Sequence, residues 1–387
     1  MVERVGYVVV GLGALGSATA YALARGGHEV VGLERFALGH ERGASHDASR
    51  ILRHSYHRSD YVRLTLDAYA DWADLESVSG ERLVTPTGGL DLFSPDAAIP
   101  AVDYTVAMSD CDIEYEELDR AEIVRRWPQL APPDGTVALY QADAGIVPAA
   151  RTTTTLHRLA RDHGARLRDE SPVHAVRDLG DRGIEVESAS GTLRCRRLVV
   201  CADAWTNDVL AGLEYAVPLT VTLEQVTYLD VAEPARFAPG ELPLWIWMDD
   251  PCYYGFPCYG EPTVKLAEDC GGAVVTGDSR GFDPDPGRIE RLTSFAHGLL
   301  PSTGAPVRSK TCLYTLTPDR DFVIDAVPGH EAVVVGLGAA HGFKFTPTFG
   351  RLLAELAVTG ECSADVSGFP LDRPALTESD YPASWLV

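Results

Sequence analysis

Between Val5 and Glu34 the apolar and polar positions fall into blocks whose lengths predict the elements. Val5 to Val10 is a β-branched apolar run with the length of a buried parallel strand. From Ser17 to Arg25 small and apolar residues recur at helical spacing, and Gly26-Gly27 ends that run. Glu29 to Leu33 is a second apolar run, closed by an acid, Glu34. Gly11-Leu12-Gly13-Ala14-Leu15-Gly16 stands between the first strand and the helix. The order is strand, glycine turn, helix, strand, acid.

The residue types in that order suit a dinucleotide. Gly11 permits a tight turn, Gly13 lets backbone approach a pyrophosphate, and Gly16 lets the helix pack closely on the strand. The unpaired N–H groups at the helix start would face the phosphates. Glu34, with Arg35 beside it, ends the second strand where a carboxylate accepts from ribose hydroxyls and repels a 2′-phosphate. The motif itself does not choose between NAD and FAD.

Further on, Phe36 to Ser49 is a polar loop with Gly39, Gly43, Ser45, His46 and Ser49, a candidate second cradle for a cofactor. Arg50 and Arg53 follow, three apart, so on a helical turn they would share a face. Tyr61 to Glu76 has a broad apolar helical face, and Val84 to Phe93 reads as strands around Gly88-Gly89. From Ala97 to Leu139 acids are dense and prolines cluster at 128, 132 and 133. Asp143 to Pro148 reads as a turn before a long helix, Ala149 to Gly164. His174–Val176 and Ile184–Val186 read as paired strands, and Leu198 to Ala202 as a buried strand leading into a helix start.

Thr220–Tyr228, Leu244–Met248, Cys252–Tyr259 and Thr263–Leu266 are short aromatic-bearing runs that predict an antiparallel sheet, hence a second domain. Ile289 to Leu299 is amphipathic, Val334 to Gly338 is an apolar strand, and Phe349 to Thr359 is a closing helix. The expected fold is therefore α/β (α+β) with two domains. A Rossmann-like cofactor domain takes residues 1–80, 140–215 and 320–387, and a substrate domain takes 81–139 and 216–319.

Charge and cysteine content narrow the partners. With 387 residues the chain has room for two cores, and a net charge of −23 argues against nucleic acid or an anionic membrane as partner. No N-terminal stretch has the pattern of a signal peptide and no apolar run reaches membrane-spanning length, so a soluble cytoplasmic protein is expected. The eight cysteines are scattered, without CxxC pairs or histidines at zinc-site spacing. Reduced thiols, no disulfide and no metal site are expected.

Four separated stretches, together with the N-terminal fingerprint, carry a family resemblance. They are Ser45 to His54 (SHDASRILRH), Tyr253 to Pro257 (YYGFP), Lys310 to Pro318 (KTCLYTLTP) and His341 to Phe345 (HGFKF). In these the chain resembles monomeric sarcosine oxidase and N-methyltryptophan oxidase, in the group that also holds fructosyl-amino-acid and pipecolate oxidases. The resemblance runs from the first strand to the closing helix and is weakest in the middle of the substrate domain.

That resemblance implies FAD, joined covalently to Cys312, with Lys310 and nearby backbone donors favouring the thiolate. It implies a monomer acting on a secondary amino acid with a free carboxylate, with O2 reduced to H2O2. The carboxylate grip matches Arg53 and Lys344, helped by Tyr314; Tyr254 matches a pocket-lining tyrosine. Lys265 matches a cation facing the flavin that stabilises reduced oxygen species. His46, Ser49 and Arg50 match loop positions beside the flavin ring and phosphates, with Ser45 in the same loop and Gly342 in the last motif. The sarcosine enzymes carry a histidine four residues after that lysine; here Asp269 stands there, an acid that would favour a charged amine or read another side chain. Their glycine-serine-glycine run is Gly338-Ala339-Ala340 here. Both departures leave the substrate's side chain and N-substituent open. A flavin dehydrogenase, a biosynthetic imino-acid oxidase, or a dinucleotide-binding sensor without turnover are the alternatives.

Overall fold

The first strand extends over Glu3–Val10 and lies inside an eight-stranded sheet. The structure is a computed structural model and describes residues 2–384. Val30–Leu33 and Gly191–Val200 flank the first strand in parallel, and His330–Leu337 runs parallel beyond the latter. Val10 is in register with Leu33 and Val200, and Val200 with Val335, so four strands end together. Both faces are covered. Val8, Val10, Val31, Leu33, Leu198 and Val200 enter one core, while Tyr7, Val9, Val30 and Val199 enter another. Burial on both faces is why these strands read as unbroken apolar runs.

The helix after the glycine turn spans Ala14–Arg25, three residues earlier than its apolar spacing indicates. It packs against helices Ala149–Asp162 and Thr346–Thr359. Gly11 has φ 87°, and a Cβ there would lie 2.4 Å from the Cys201 carbonyl oxygen. A Cβ on Gly16 would lie 1.8 Å from the Gly11 carbonyl oxygen. The turn is thus closed to side chains at both positions.

A second sheet of nine strands is built around Thr220–Val231, which pairs antiparallel with Thr303–Leu316 and with Thr263–Glu268. Tyr253–Phe256 lies beside Thr263–Glu268. One pair departs from the antiparallel expectation, because Leu244–Trp247 runs parallel to Gly89–Phe93. The helix Pro286–Leu299 packs on this sheet; Asp285 caps it by accepting from Gly287 N at 2.7 Å, with Pro286 in the first turn.

A small sheet of Arg50–Leu52, Thr85–Pro86 and Gly145–Val147 corrects two expectations. The stretch read as a turn at Asp143 to Pro148 contains a paired strand. Arg50 begins a strand and not a helical turn, so Arg50 and Arg53 do not share a face; in extended backbone, residues three apart point to opposite sides. Among the described residues no helix is long and apolar enough to cross a membrane.

Candidate cofactor and substrate site

The carboxyl ends of the four parallel strands open into a cavity of about 730 Å³. Gly11, Gly13, Glu34, Arg35, Ser45, His46, Arg50, Tyr254, Cys312, Tyr314 and Gly342 all line it. That is where an open parallel sheet receives a nucleotide, and the volume is within the range of cofactor pockets. Glu34 is buried; its Oε2 accepts from Leu12 N at 2.7 Å and its Oε1 from Phe36 N at 3.1 Å, with His40 Nε2 at 3.2 Å. These donors hold the carboxyl below its ordinary range against burial, the largest influence and an opposing one. Ser45 Oγ accepts from Ala14 N at 2.9 Å. Two N–H groups of the turn are therefore already engaged, which narrows the expectation that the helix start faces phosphates unpaired. Arg35 sits at the outer rim, 3.0 Å from Asp278.

The loop from 36 to 49 forms the facing wall, and Arg50 ties it together. Its guanidinium donates to the carbonyls of Ser49, Ala44 and His46 at 2.8, 2.7 and 2.8 Å. Neither ring nitrogen of His46 has a hydrogen-bond partner, although both are buried. Burial, with Arg50 nearby, pushes this imidazole down to about 4, so it is neutral at pH 7. Asp203 Oδ2 is a second buried polar atom on the cavity without a partner. Buried polar atoms call for partners, so a closed glycine turn, an acid at the second strand and two orphaned polar groups fit a bound dinucleotide. Gly16 and Ser49 lie behind this wall and do not line the cavity.

Cys312 and Tyr314 project from the same face of Thr303–Leu316. The Tyr314 hydroxyl is 3.4 Å from that of Tyr254, and burial raises both phenols. The Cys312 thiol is pushed up to about 11 by burial, with Arg50 opposing. Lys310, expected to favour the thiolate, donates to Glu41 at 2.7 Å.

Lys265 is 3% exposed and faces inward. Its Nζ lies 2.7 Å from Asp47 Oδ2, 3.0 Å from Ser49 O and 3.1 Å from Ser49 Oγ. Burial and Arg50 lower it to about 8 while Asp47 supports the charge.

Deeper in the chain's fold lies a second group, brought together from five separate segments. Arg53 Nη1 donates to Asp91 and to Ser55 Oγ, both at 2.9 Å, and Ser55 also donates to Asp91. Lys344 donates to the Tyr56 hydroxyl at 2.7 Å and to the His341 carbonyl at 3.1 Å. Arg320 donates to Asp269 at 2.7 and 3.0 Å. Asp269, which the sequence left open to a charged amine or to another side chain, stands in an ion pair with the buried Arg320. Among the described residues no carboxylate pairs with Lys344, and its charged form is strongly disfavoured, first by burial and then by Arg53 and Arg320.

Asp47, Tyr56, Asp91 and Arg320 were not singled out from the sequence. Asp47 lies within the SHDASRILRH stretch and Arg320 two residues after KTCLYTLTP, but nothing local marks their partners. Ala339 and Ala340, at the departure from the glycine-serine-glycine run, have φ 41° and 70°, the left-handed region that favours glycine. One signal was available and unused. Of 33 basic side chains only three are lysines: Lys310 lines the cavity, Lys265 pairs with Asp47, which lines it, and Lys344 belongs to the second group. A lysine loses its charge readily when buried and an arginine does not.

Known proteins resemble this chain in sequence and fold. Residues 7–356 match the family model described as FAD dependent oxidoreductase. The chain is 34% identical to monomeric sarcosine oxidase of Streptomyces avermitilis over 95% of its own length and 97% of that protein. It is 29% identical to N-methyl-L-tryptophan oxidase of Salmonella newport, covering 95% and 98%. Among solved structures, the open form of NikD, an unusual amino acid oxidase essential for nikkomycin biosynthesis, has a TM-score of 0.85 at 29% identity, covering 94% and 96%. Its dinucleotide turn, its acid-ended second strand and these full-length relatives agree, and the chain belongs to the FAD-dependent oxidoreductase family.

Proposed function

We propose that this enzyme oxidises a secondary amino acid, N-methylated or cyclic, at its CH–NH bond, and that O2 is the electron acceptor. The amine loses two electrons and two protons and becomes an imine, which hydrolyses in water; O2 takes up both and becomes H2O2. Lys344 carries this reading: a buried amine with only neutral acceptors, beside Arg53, is the place for a substrate carboxylate, whose charge would restore the ammonium. Arg53 makes its ion pair through Nη1, which leaves the rest of the fork for that anion. Tyr314 and Tyr254 bound the pocket and help exclude water. Holding the substrate in one orientation then removes much of the entropic part of the barrier. FAD, attached through Cys312, supplies the two-electron chemistry that no side chain here provides. Lys265 is the fixed cation for oxygen reduction.

The names of the sarcosine and N-methyltryptophan relatives support this substrate class. The membership of the two large sheets supports a cofactor domain of 1–80, 140–215 and 320–387 and a substrate domain of 81–139 and 216–319. A biosynthetic oxidase of a cyclic imino acid is the second reading, favoured by the likeness to NikD and by the Asp269–Arg320 pair. The test is anaerobic bleaching of the flavin by sarcosine, other N-methyl amino acids, proline, pipecolate and a fructosyl amino acid, followed by mixing with O2. Bleaching by one carboxylate-bearing amine and fast reoxidation are expected. Equal bleaching by the matching amine without a carboxylate would sink the grip, and slow reoxidation would make the enzyme a dehydrogenase.

A further inference from the structure

We propose that Asp47 is a positioning residue for Lys265, keeping its ammonium charged and in one place so that the cation is present when oxygen is reduced. The proposal rests on the oxidase reading and adds a residue to which that reading gives no part.

The geometry is over-determined. Asp47 has φ 79°, a left-handed conformation that is costly for a non-glycine residue and persists only where its surroundings hold it. They do so here. Both Asp47 oxygens accept from the Tyr228 hydroxyl, at 2.7 and 2.8 Å, and Oδ2 faces Lys265 Nζ at 2.7 Å. Tyr228 stands directly opposite Lys265 in one strand pair and opposite Arg308 in the other. The Arg308 guanidinium lies 3.5 Å over the Tyr228 ring and pairs with Glu261. A line of contacts therefore runs from Lys265 through Asp47, Tyr228 and Arg308 to Glu261. Sheet register fixes its middle.

The charges around Lys265 make Asp47 decisive. From the loop and the strand after it come Asp47, the neutral His46 and the cation Arg50. From the strand Thr303–Leu316 comes the Cys312 thiol, and from Thr220–Val231 the Tyr228 phenol. The Phe256 ring centroid, at 5.0 Å, closes the apolar side. Asp47 is the only carboxylate among these groups. Burial and Arg50 both favour the neutral amine; with Asp47 the midpoint is about 8, close enough to neutrality that loss of one partner decharges the site. Lysine permits this and arginine would not.

The test uses the holoenzyme and its small lysine count. Lysine labelled with carbon-13 at Cε gives three signals, and Lys265→Met assigns one of them. In the wild type the Lys265 signal should titrate near 8. In Asp47→Asn its midpoint should fall by at least one pH unit. In stopped flow, the rate constant for reoxidation of the reduced enzyme by O2 should fall about tenfold at pH 7.5 and recover toward pH 6. Asp47→Glu should restore most of both. Should Asp47→Asn not fold, Tyr228→Phe reads the same link, with an expected two- to fivefold slower O2 reaction at pH 7.5. An unmoved Lys265 midpoint in Asp47→Asn, or unchanged O2 kinetics in both Asp47→Asn and Tyr228→Phe, overturns the proposal. If Lys265 shifts as expected but the reduced wild type reacts only slowly with O2, the oxidase reading fails and the Asp47–Lys265 link stands.

Discussion

The Lys344 Nζ meets the Tyr56 hydroxyl at 2.7 Å in the interior, and among the described residues no carboxylate pairs with it. Its neighbours Arg53 and Arg320 are each matched to an acid, Asp91 and Asp269. An anion is what this group lacks, and a carboxylate ligand would restore the charge that burial disfavours.

Binding of a carboxylate ligand should therefore take up a proton. The free Lys344 midpoint lies well below the usual lysine range, and an adjacent anion raises it, so uptake should approach one proton per ligand at a pH between the two midpoints. Titration calorimetry in two buffers of different ionisation enthalpy measures it. Lys344→Met should abolish the uptake and weaken binding by roughly 3 kcal/mol, more than a hundredfold. Equal proton uptake in Lys344→Met would falsify this assignment.

Asp91→Ala should destabilise the fold by about 3–5 kcal/mol, because it strands the buried Arg53 charge. Urea denaturation reads the change as a lower midpoint with an unaltered slope. A loss below about 1 kcal/mol would show that the Arg53 charge is compensated some other way.

Cys312→Ala should leave a folded protein whose flavin is released on acid precipitation. In the apoprotein the thiol is almost wholly protonated at pH 7, since its midpoint is about 11. If the thiolate is the reactive form, covalent incorporation of FAD into apoprotein should speed up close to tenfold per pH unit between 7 and 9. Acid-stable flavin against time gives the rates. A flat pH profile would mean that thiolate supply does not limit attachment.

Asp203 sets a pH dependence of stability. Burial raises its carboxyl from 3.8 to about 6 in the folded chain. Below 3.8 it is protonated both folded and unfolded, at no cost. Between 3.8 and 6 only the unfolded chain ionises, so folded stability falls as pH rises, and above 6 the deficit stays constant. Asp203→Asn should thus gain up to roughly 3 kcal/mol at pH 7.5 and only about 0.5 kcal/mol at pH 4. Urea melts at the two pH values, at matched flavin content, test this, and an equal gain at both would assign the effect to something other than ionisation.

What the sequence determined by itself is the local part. The β-branched run from Val5, the glycines that a turn without side-chain space requires, the acid at Glu34 and the helical spacing from Ser17 follow from sterics and periodicity within about 30 residues. Residues 45–54, 253–257, 310–318 and 341–345 were legible only through the family resemblance that they carry as contiguous stretches. The partners of the cations were not. Lys265 has 56 acidic residues to choose from, and only the register of Thr220–Val231 against Thr263–Glu268 sets Tyr228 opposite it and brings Asp47 to its ammonium. The same holds for Arg53 with Asp91 and for Asp269 with Arg320, pairs joined across different strands and loops. A buried ion pair depends on distances of a few ångströms between distant segments, and no one-dimensional pattern encodes them. That is why the partner of Asp269 was open in the sequence, why Arg50 and Arg53 looked like neighbours on one face, and why tertiary structure alone assigned each its surroundings.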